Sequence, residues 1–346
     1  MGMNEADPVG FVIQKIRALE NLQSLSKHEQ LVQGILDAID EGGLRTNEAL
    51  PSVNTMIGEL GYARETIVKA YKELMARGVI ASKNRKGYFV ISGNIRQQQK
   101  IALLMYAFDT FQETLYNSLK AHIGKDIQID LYFHHNNPDV FEAIFNRIAG
   151  HYGLYIVAPI DTDRIKELLT TIPPFKLLII DRYLALGDDY SYVTQEFGAS
   201  SYQMFQKLAT KLAAYEEIIF FFRKNTAEPP EILKSFRKFL KDTGLKGKVK
   251  KHYEQGSIEQ HKVYFTIHNP ELYAILKDVM DKKWKLGKDL GVLAHNDDVV
   301  KEIIAGGITT FSADFAEIGR LAAEYVQTRE KIQQIVPSTL YIRKSL

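Results

Sequence analysis

The stretch LPSVNTMIGELGYARETIVKAYKELMARGVIASKNRKGYFVI, residues 50–91, decides how the amino-terminal part of this chain folds. Ser52 follows Pro51 and can cap a helix over 53–60, with Val53, Met56, Ile57 and Leu60 turned inward. Gly61 breaks that helix. A second helix over 63–77 buries Ile67, Ala70, Tyr71 and Leu74, and Gly78 ends it. Two short strands follow, Val79–Ser82 and Gly87–Ile91, joined by the tight basic turn Lys83-Asn84-Arg85-Lys86. Upstream, residues 27–41 set Leu31, Ile35, Ala38 and Ile39 on one helical face, with Ser26 as cap and Gly42-Gly43 as stop. Three helices and a two-stranded hairpin make a winged helix-turn-helix.

In such a motif the second helix of the pair enters the major groove, and its first residues meet base edges. Here it opens Ala63-Arg64-Glu65-Thr66. Arg64 can grip guanine or phosphate, Thr66 can bond either, and Lys69 sits one turn on. Between residues 64 and 86 stand Arg64, Lys69, Lys72, Arg77, Lys83, Arg85 and Lys86 against only Glu65 and Glu73. A charge run is usually a solvated surface. This one coincides with a whole helix-turn-helix-plus-wing pattern, which favours nucleic acid. The DNA-facing candidates are Ser52, Asn54, Arg64, Glu65, Thr66, Lys69, Lys83, Arg85, Lys86 and Gly87.

Residues 29–91 resemble the GntR family DNA-binding domain, chiefly through LPSVNTMIGELGYARETIVKAYKELMARGVI (50–80) and RKGYFV (85–90). The resemblance implies that Arg64, Thr66 and the wing around Lys86-Gly87 contact DNA. Asn54 and Ala63 stand where many members carry Arg and Ser or Thr, which bears on the operator sequence.

The chain of 346 residues is long enough for two or three units at roughly 100–200 residues each. The polar run SGNIRQQQK closes the first, giving expected boundaries of 1–91 for the winged helix with its amino-terminal extension, 92–100 for a linker, and 101–346 for the rest. Strands are expected at Ile101–Tyr106, Ile127–Phe133, Leu154–Ala158, Lys176–Ile180, Glu217–Phe222, near 248–253, at 262–267 and at Leu290–Ala294, with helices between them. Regular alternation of this kind predicts α/β architecture with parallel sheets. Over about 245 residues, two lobes are the natural packing.

In two-lobed α/β domains a ligand lies outside the carboxyl ends of the strands. The residues directly after strands are therefore candidates: Phe108, Asp109, Phe111, His134, Pro159, Asp161, Asp181, Arg182, Arg223, His268, Asn269, His295, Asn296 and Asp297. Asp161 and Asp297 suit helix capping equally well. Carboxylates and amides accept hydroxyl hydrogens and aromatic faces pack on C–H surfaces, so the set suits a polyhydroxylated ligand.

Residues 100–346 resemble the LacI/GalR-type, periplasmic-binding-protein-like domain. The matching segments are GVLAHNDDVVKEIIAGGITTFSADFAEIGRLAAEYV (291–326), LLIIDR (177–182) and PSTLYIRKS (337–345), the last as a closing strand. The resemblance implies effector contacts at Asp181, Asn269, Asn296, Asp297 and Phe315. No residue matches the family's cleft arginine near 231–236, and Arg223 is the substitute.

There is no cysteine, which excludes thiol nucleophiles, disulfides and Cys-ligated zinc. No Walker A loop, His-Glu-x-x-His or Gly-x-Ser-x-Gly is present. No metal or cofactor is expected. Neither a signal peptide nor a membrane helix is evident. The expectation is a cytoplasmic homodimeric repressor of a carbohydrate-utilisation operon, not an enzyme. It would bind an inverted-repeat operator in double-stranded DNA and be switched by a monosaccharide or derivative. The alternative is an enzyme of sugar or nucleotide metabolism with an accessory DNA-binding head.

Overall fold

The structure is a computed structural model, described here for residues 7–20, 25–84, 86–91, 100–124, 127–224 and 226–346. The expected linker over 92–100 falls outside the described residues except for Lys100, as do Arg85 and residues 1–6.

The amino-terminal elements are α1 (Pro8–Ala18), α2 (Lys27–Asp40), α3 (Val53–Leu60), α4 (Arg64–Ala76), β1 (Ile80–Lys83) and β2 (Gly87–Val90). The strands pair antiparallel, Ile80 opposite Val90 and Lys83 opposite Gly87. Ser26 and Glu29 form a reciprocal capping box at the start of α2. Gly61, at φ +65°, turns the chain between α3 and α4. Leu31, Ile35, Ala38, Met56, Ile67, Ala70, Tyr71, Leu74, Ile80 and Val90 share one core.

Helix α1 was not anticipated. Asp7 caps it and Pro8 opens it, and it buries Val12, Ile13 and Ile16. It lies so close to α2 that a side chain on Gly34 would meet the Ile16 backbone at 2.9 Å. That approach is invisible to periodicity within a single helix.

The larger part runs β3 (Ile101–Met105), α5 (Thr110–Ile123), β4 (Ile129–Phe133), α6 (Pro138–Ile148), β5 (Leu154–Val157), α7 (Asp163–Thr170), β6 (Leu177–Arg182) and β7 (Ser191–Gln195). It continues with α8 (Gly198–Leu212), β8 (Glu217–Phe221), α9 (Pro230–Thr243), β9 (Gly247–Lys250), β10 (Lys262–Thr266), α10 (Asn269–Asp281), β11 (Gly291–His295) and α11 (Val299–Ile303). The chain closes with β12 (Thr309–Ala313), α12 (Phe315–Thr328), β13 (Gln333–Val336) and β14 (Ser338–Tyr341).

These strands form two six-stranded sheets, ordered β13-β7-β6-β5-β3-β4 and β14-β12-β11-β10-β8-β9. Every neighbouring pair is parallel except β12–β14. Each sheet has apolar clusters on both faces, so its strands read as near-continuous hydrophobic runs such as Ile101–Met105. The α/β two-lobed architecture is as expected.

Two details differ. Strand β7 was not foreseen because Ser191, Thr194 and Gln195 are buried polar residues in the middle of a sheet. The expected closing strand over 337–345 is β14, in the second lobe, but β13, just before Pro337 and in the first lobe, was not foreseen. The chain thus passes between lobes three times, at residues 196–197, 314 and 337. No helix among the described residues is long and apolar enough to cross a membrane.

Replacing Ser26 by Ala removes the side-chain acceptor for the Glu29 N–H. The expected cost is about 1 kcal/mol, read as a lower denaturant midpoint for the amino-terminal unit.

Candidate functional site

Two surfaces carry chemistry. The first is the α3–α4 turn with its wing. Ser52 is exposed and caps α3, accepting from the Thr55 N–H at 3.0 Å. Arg64, the first residue of α4, is exposed and donates to Asn54 Oδ1 at 3.1 Å. That bond holds the guanidinium over the turn. Glu65 and Lys69 are exposed and Thr66 is half-buried one turn below Lys69. Ala63 supplies no side-chain cap, so the first N–H groups of α4 keep no local side-chain acceptor. On the wing, Lys83 lies 4.6 Å from the Phe89 ring centroid, and Lys86 and Gly87 are exposed, Gly87 at φ +94°. Arg85 lies outside the described residues. The structure therefore gathers the other nine DNA-facing candidates on the turn, α4 and the wing.

The second is a cleft of about 330 Å³ between the two lobes. Of the residues expected there, Asp109, Phe111, Asp181, Arg182, Arg223, His268, Asn269, His295, Asn296 and Phe315 line it. Tyr106, Gln112, Gln195, Phe197, Glu228 and Lys301 join them. Asp181 and Asn296 both hold positive φ, +64° and +60°, at the ends of β6 and β11. Such backbone is costly for residues other than Gly and Asn, and it clusters at binding sites.

The cleft's charges are matched. Arg182 donates to the Ala227 carbonyl across the lobes and its guanidinium lies 5.5 Å from the Phe197 ring. Arg223 is held by Glu228, with Nε to Oε1 at 2.6 Å. Lys301, fully buried, donates to the Asn296 carbonyl at 3.0 Å and to Asp298 at 3.1 Å. Burial pushes the Asp109 carboxyl up to about 6, against the pull of Lys301 and with added repulsion from Asp181 and Asp298. Burial also raises Asp181, although Arg182 and a hydrogen bond from Gln195 oppose it. His295 is pushed down to about 3 by burial and by the charges of Lys301 and Arg182, so its ring is neutral. Buried acceptor atoms Asn296 Oδ1 and Gln112 Oε1, and His295 Nδ1, have no hydrogen-bond partner among the described residues.

Five expected residues stand elsewhere, among them Pro159, buried after β5. Asp297 is held by Arg343 in a two-pronged ion pair of 2.6 and 2.8 Å and accepts from Thr310. Burial would raise its carboxyl, but these bonds hold it below the usual range. It does not cap α11 either; Asp298 does. Asp161 is exposed beside Thr162, which caps α7. Phe108 packs on Tyr116 and Phe133 outside the cleft. His134 is buried under the sheet end, its Nε2 3.0 Å from the Ala158 carbonyl, and burial lowers it to about 4.

The sequence rule of reading residues just after strands could have found Tyr106 after β3. Gln195 and Phe197 were lost with β7, and Lys301 comes from α11, one turn past Asn296. Glu228 lies five positions past Arg223 in the same loop, just before α9 rather than directly after a strand.

Residues 27–90 match the family described as bacterial regulatory proteins, gntR family. A curated HTH-type transcriptional regulator of Mycobacterium tuberculosis is 32% identical over 62 residues, 18% of this chain and 51% of that protein. The chain thus spans about half the length of that relative. Among solved structures, a LacI family transcriptional regulator from Weissella paramesenteroides with bound sucrose is similar at TM-score 0.56 and 18% identity, over 71% of this chain and 98% of that one. A LacI family regulator from Lactobacillus casei with bound glucose gives 0.60 and 12%, over 71% and 99%. The trehalose repressor of Escherichia coli gives 0.58 and 14%, over 70% and 99%. Residues 27–90 are therefore a gntR-family helix-turn-helix domain. The two-lobed part behind it has the fold of these LacI family regulators.

Asp297→Ala leaves the Arg343 guanidinium largely buried without its carboxylate. The expected loss is about 3 kcal/mol of stability, read by chemical denaturation. Asp161→Ala, at an exposed position, should leave the midpoint unchanged.

Proposed function

We propose that this protein is a cytoplasmic transcription regulator, a homodimeric repressor of carbohydrate use, whose operator affinity is set by a neutral sugar held between its lobes. The observation that carries the reading is the pairing, in one chain, of an exposed gntR-type recognition turn with a cleft whose cations are already engaged. Arg182 donates to the Ala227 carbonyl, Arg223 to Glu228, and Lys301 to the Asn296 carbonyl and Asp298. The unpartnered Asn296 Oδ1 and Gln112 Oε1, with the carboxylates, call for hydrogen-bond donors. Hydroxyl groups supply them, and each satisfied acceptor relieves about 1–3 kcal/mol of desolvation. Phe111 and Phe315, 5.1 Å between ring centroids, offer faces for sugar C–H surfaces. A phosphate would need a free cation, and among the described residues of the cleft Arg182, Arg223 and Lys301 each already hold a partner.

On the DNA side, Arg64 reads a base edge, Ser52, Asn54, Thr66 and Lys69 position the helix, and Lys83, Arg85, Lys86 and Gly87 lay the wing along the backbone. Two heads on an inverted repeat require a dimer. Tyr273 and Met280 on α10, and Val299, Val300 and Ile303 on α11, are exposed apolar side chains available to it.

A thermal-shift screen against neutral monosaccharides, disaccharides and their phosphates tests the cleft. A neutral sugar at a hundredfold excess over its Kd should stabilise by about 2.7 kcal/mol, and its phosphate should not. A hit among phosphates alone would overturn the reading. Asn296→Ala should weaken sugar binding about tenfold while leaving DNA binding intact. Arg64→Ala should do the reverse, costing about 1–3 kcal/mol of selected-duplex affinity. Because a hydroxyl donor favours the ionised Asp109, sugar affinity should rise as pH passes upward through about 6. Calorimetry at pH 5 and pH 7.5 checks it.

A further inference from the structure

The DNA-binding head meets the first lobe through α2. At the centre of that contact Asp37 of α2 and Lys176 of the lobe form an ion pair of 2.5 Å, with side chains only 10% and 9% exposed. The second oxygen of Asp37 is satisfied by Gln33 Nε2 at 2.6 Å. Glu29, two turns earlier on α2, stands 3.5 Å from His151 Nδ1 of the lobe. The surroundings are loosely filled. Crevices of about 460 Å³ and 210 Å³ lie along the junction, the first beside Glu29 and His151, the second beside Asp37 and Lys176.

A buried ion pair is a poor source of net stability, since desolvation of both charges offsets most of the attraction. It is costly to break on one side only, and it specifies one alignment. An interface held by such a pair, with open space around it, suits a contact that must have one register and still come apart.

Lys176 ends the turn Pro174–Lys176 and is followed directly by β6. The turn is tied to its own lobe by Tyr325, whose hydroxyl donates to the Pro174 carbonyl at 3.3 Å. The far end of β6 carries Asp181 and Arg182 into the cleft. One strand therefore joins the anchor of the head to the wall of the ligand site.

We infer that Asp37 and Lys176 form a releasable latch that holds the DNA-binding head on the first lobe in one orientation, with β6 linking that latch to the cleft. The latch stands on the contacts alone. Its use in signalling rests on the proposed regulator function, so the test uses neither DNA nor sugar.

The chain has no cysteine, so single thiols report cleanly. Leu36 of α2 lines the larger crevice and is nearly covered, and Ala70 lies in the core of the head. Leu36→Cys and Ala70→Cys are made separately in the full chain, each with and without Lys176→Met, and maleimide labelling rates are compared. Release of the latch should speed labelling at position 36 about tenfold or more while position 70 stays slow. Lys176→Arg, which keeps the charge, should label like the parent. Asp37→Asn reads the same contact from the head and serves where Lys176→Met folds poorly. Unchanged labelling at position 36 in both Lys176→Met and Asp37→Asn would overturn the latch. Equal acceleration at positions 36 and 70 would overturn it too, since the pair would then be a prop for the head's own fold.

Discussion

Three chain crossings hold the two lobes, and the cleft depends on them. They are one or two residues long, at 196–197, 314 and 337. Spans this short leave no slack, so the two sheets are tied with the carboxyl ends of their parallel strands towards one another. Relative motion of the lobes is then confined to rotation about the crossings, as in a hinge. The same crossings furnish the site, since Gln195, Phe197 and Phe315 flank them and line the cleft. Pro337 marks the last crossing, where parallel pairing in the first sheet gives way to antiparallel pairing in the second.

Within this frame the electrostatics are decided by burial. Asp109, Asp181 and His295 all shift toward their neutral forms because the lobes exclude water from them. Lys301 is buried, and it donates to the Asn296 carbonyl and the Asp298 carboxylate. Arg182 bridges from the first lobe to the Ala227 carbonyl of the second. The cleft thus combines engaged donors with unengaged acceptors, an asymmetry that no count of charged residues would reveal.

Much of this was legible beforehand. The helix-turn-helix is a local object, made of caps, glycine stops and apolar spacing, and α3 falls on the residues that Ser52 and Gly61 bracket. Long apolar strands such as Ile101–Met105 and Glu217–Phe221 announced themselves by composition. Strand β7 did not, because Thr194 and Gln195 are polar yet buried between neighbouring strands. Helix α1 escaped for a related reason: its partner is the backbone groove that Gly34 leaves open on α2. Among strand-end residues, nine reach the cleft, whereas Asp297 turns away to Arg343, forty-six positions further along the chain.

By itself the sequence determined what depends on neighbours within a few turns. That covers the winged helix, its basic recognition face, the strand–helix alternation and the class of side chain at each strand end. Tertiary structure decided which of those side chains share a cavity, which charges are spent on one another, and where the head rests on the lobe. The physical reason is range. Caps and periodicity act through hydrogen bonds and packing between near neighbours, whereas Asp297 with Arg343 and Asp37 with Lys176 are set by how whole elements dock.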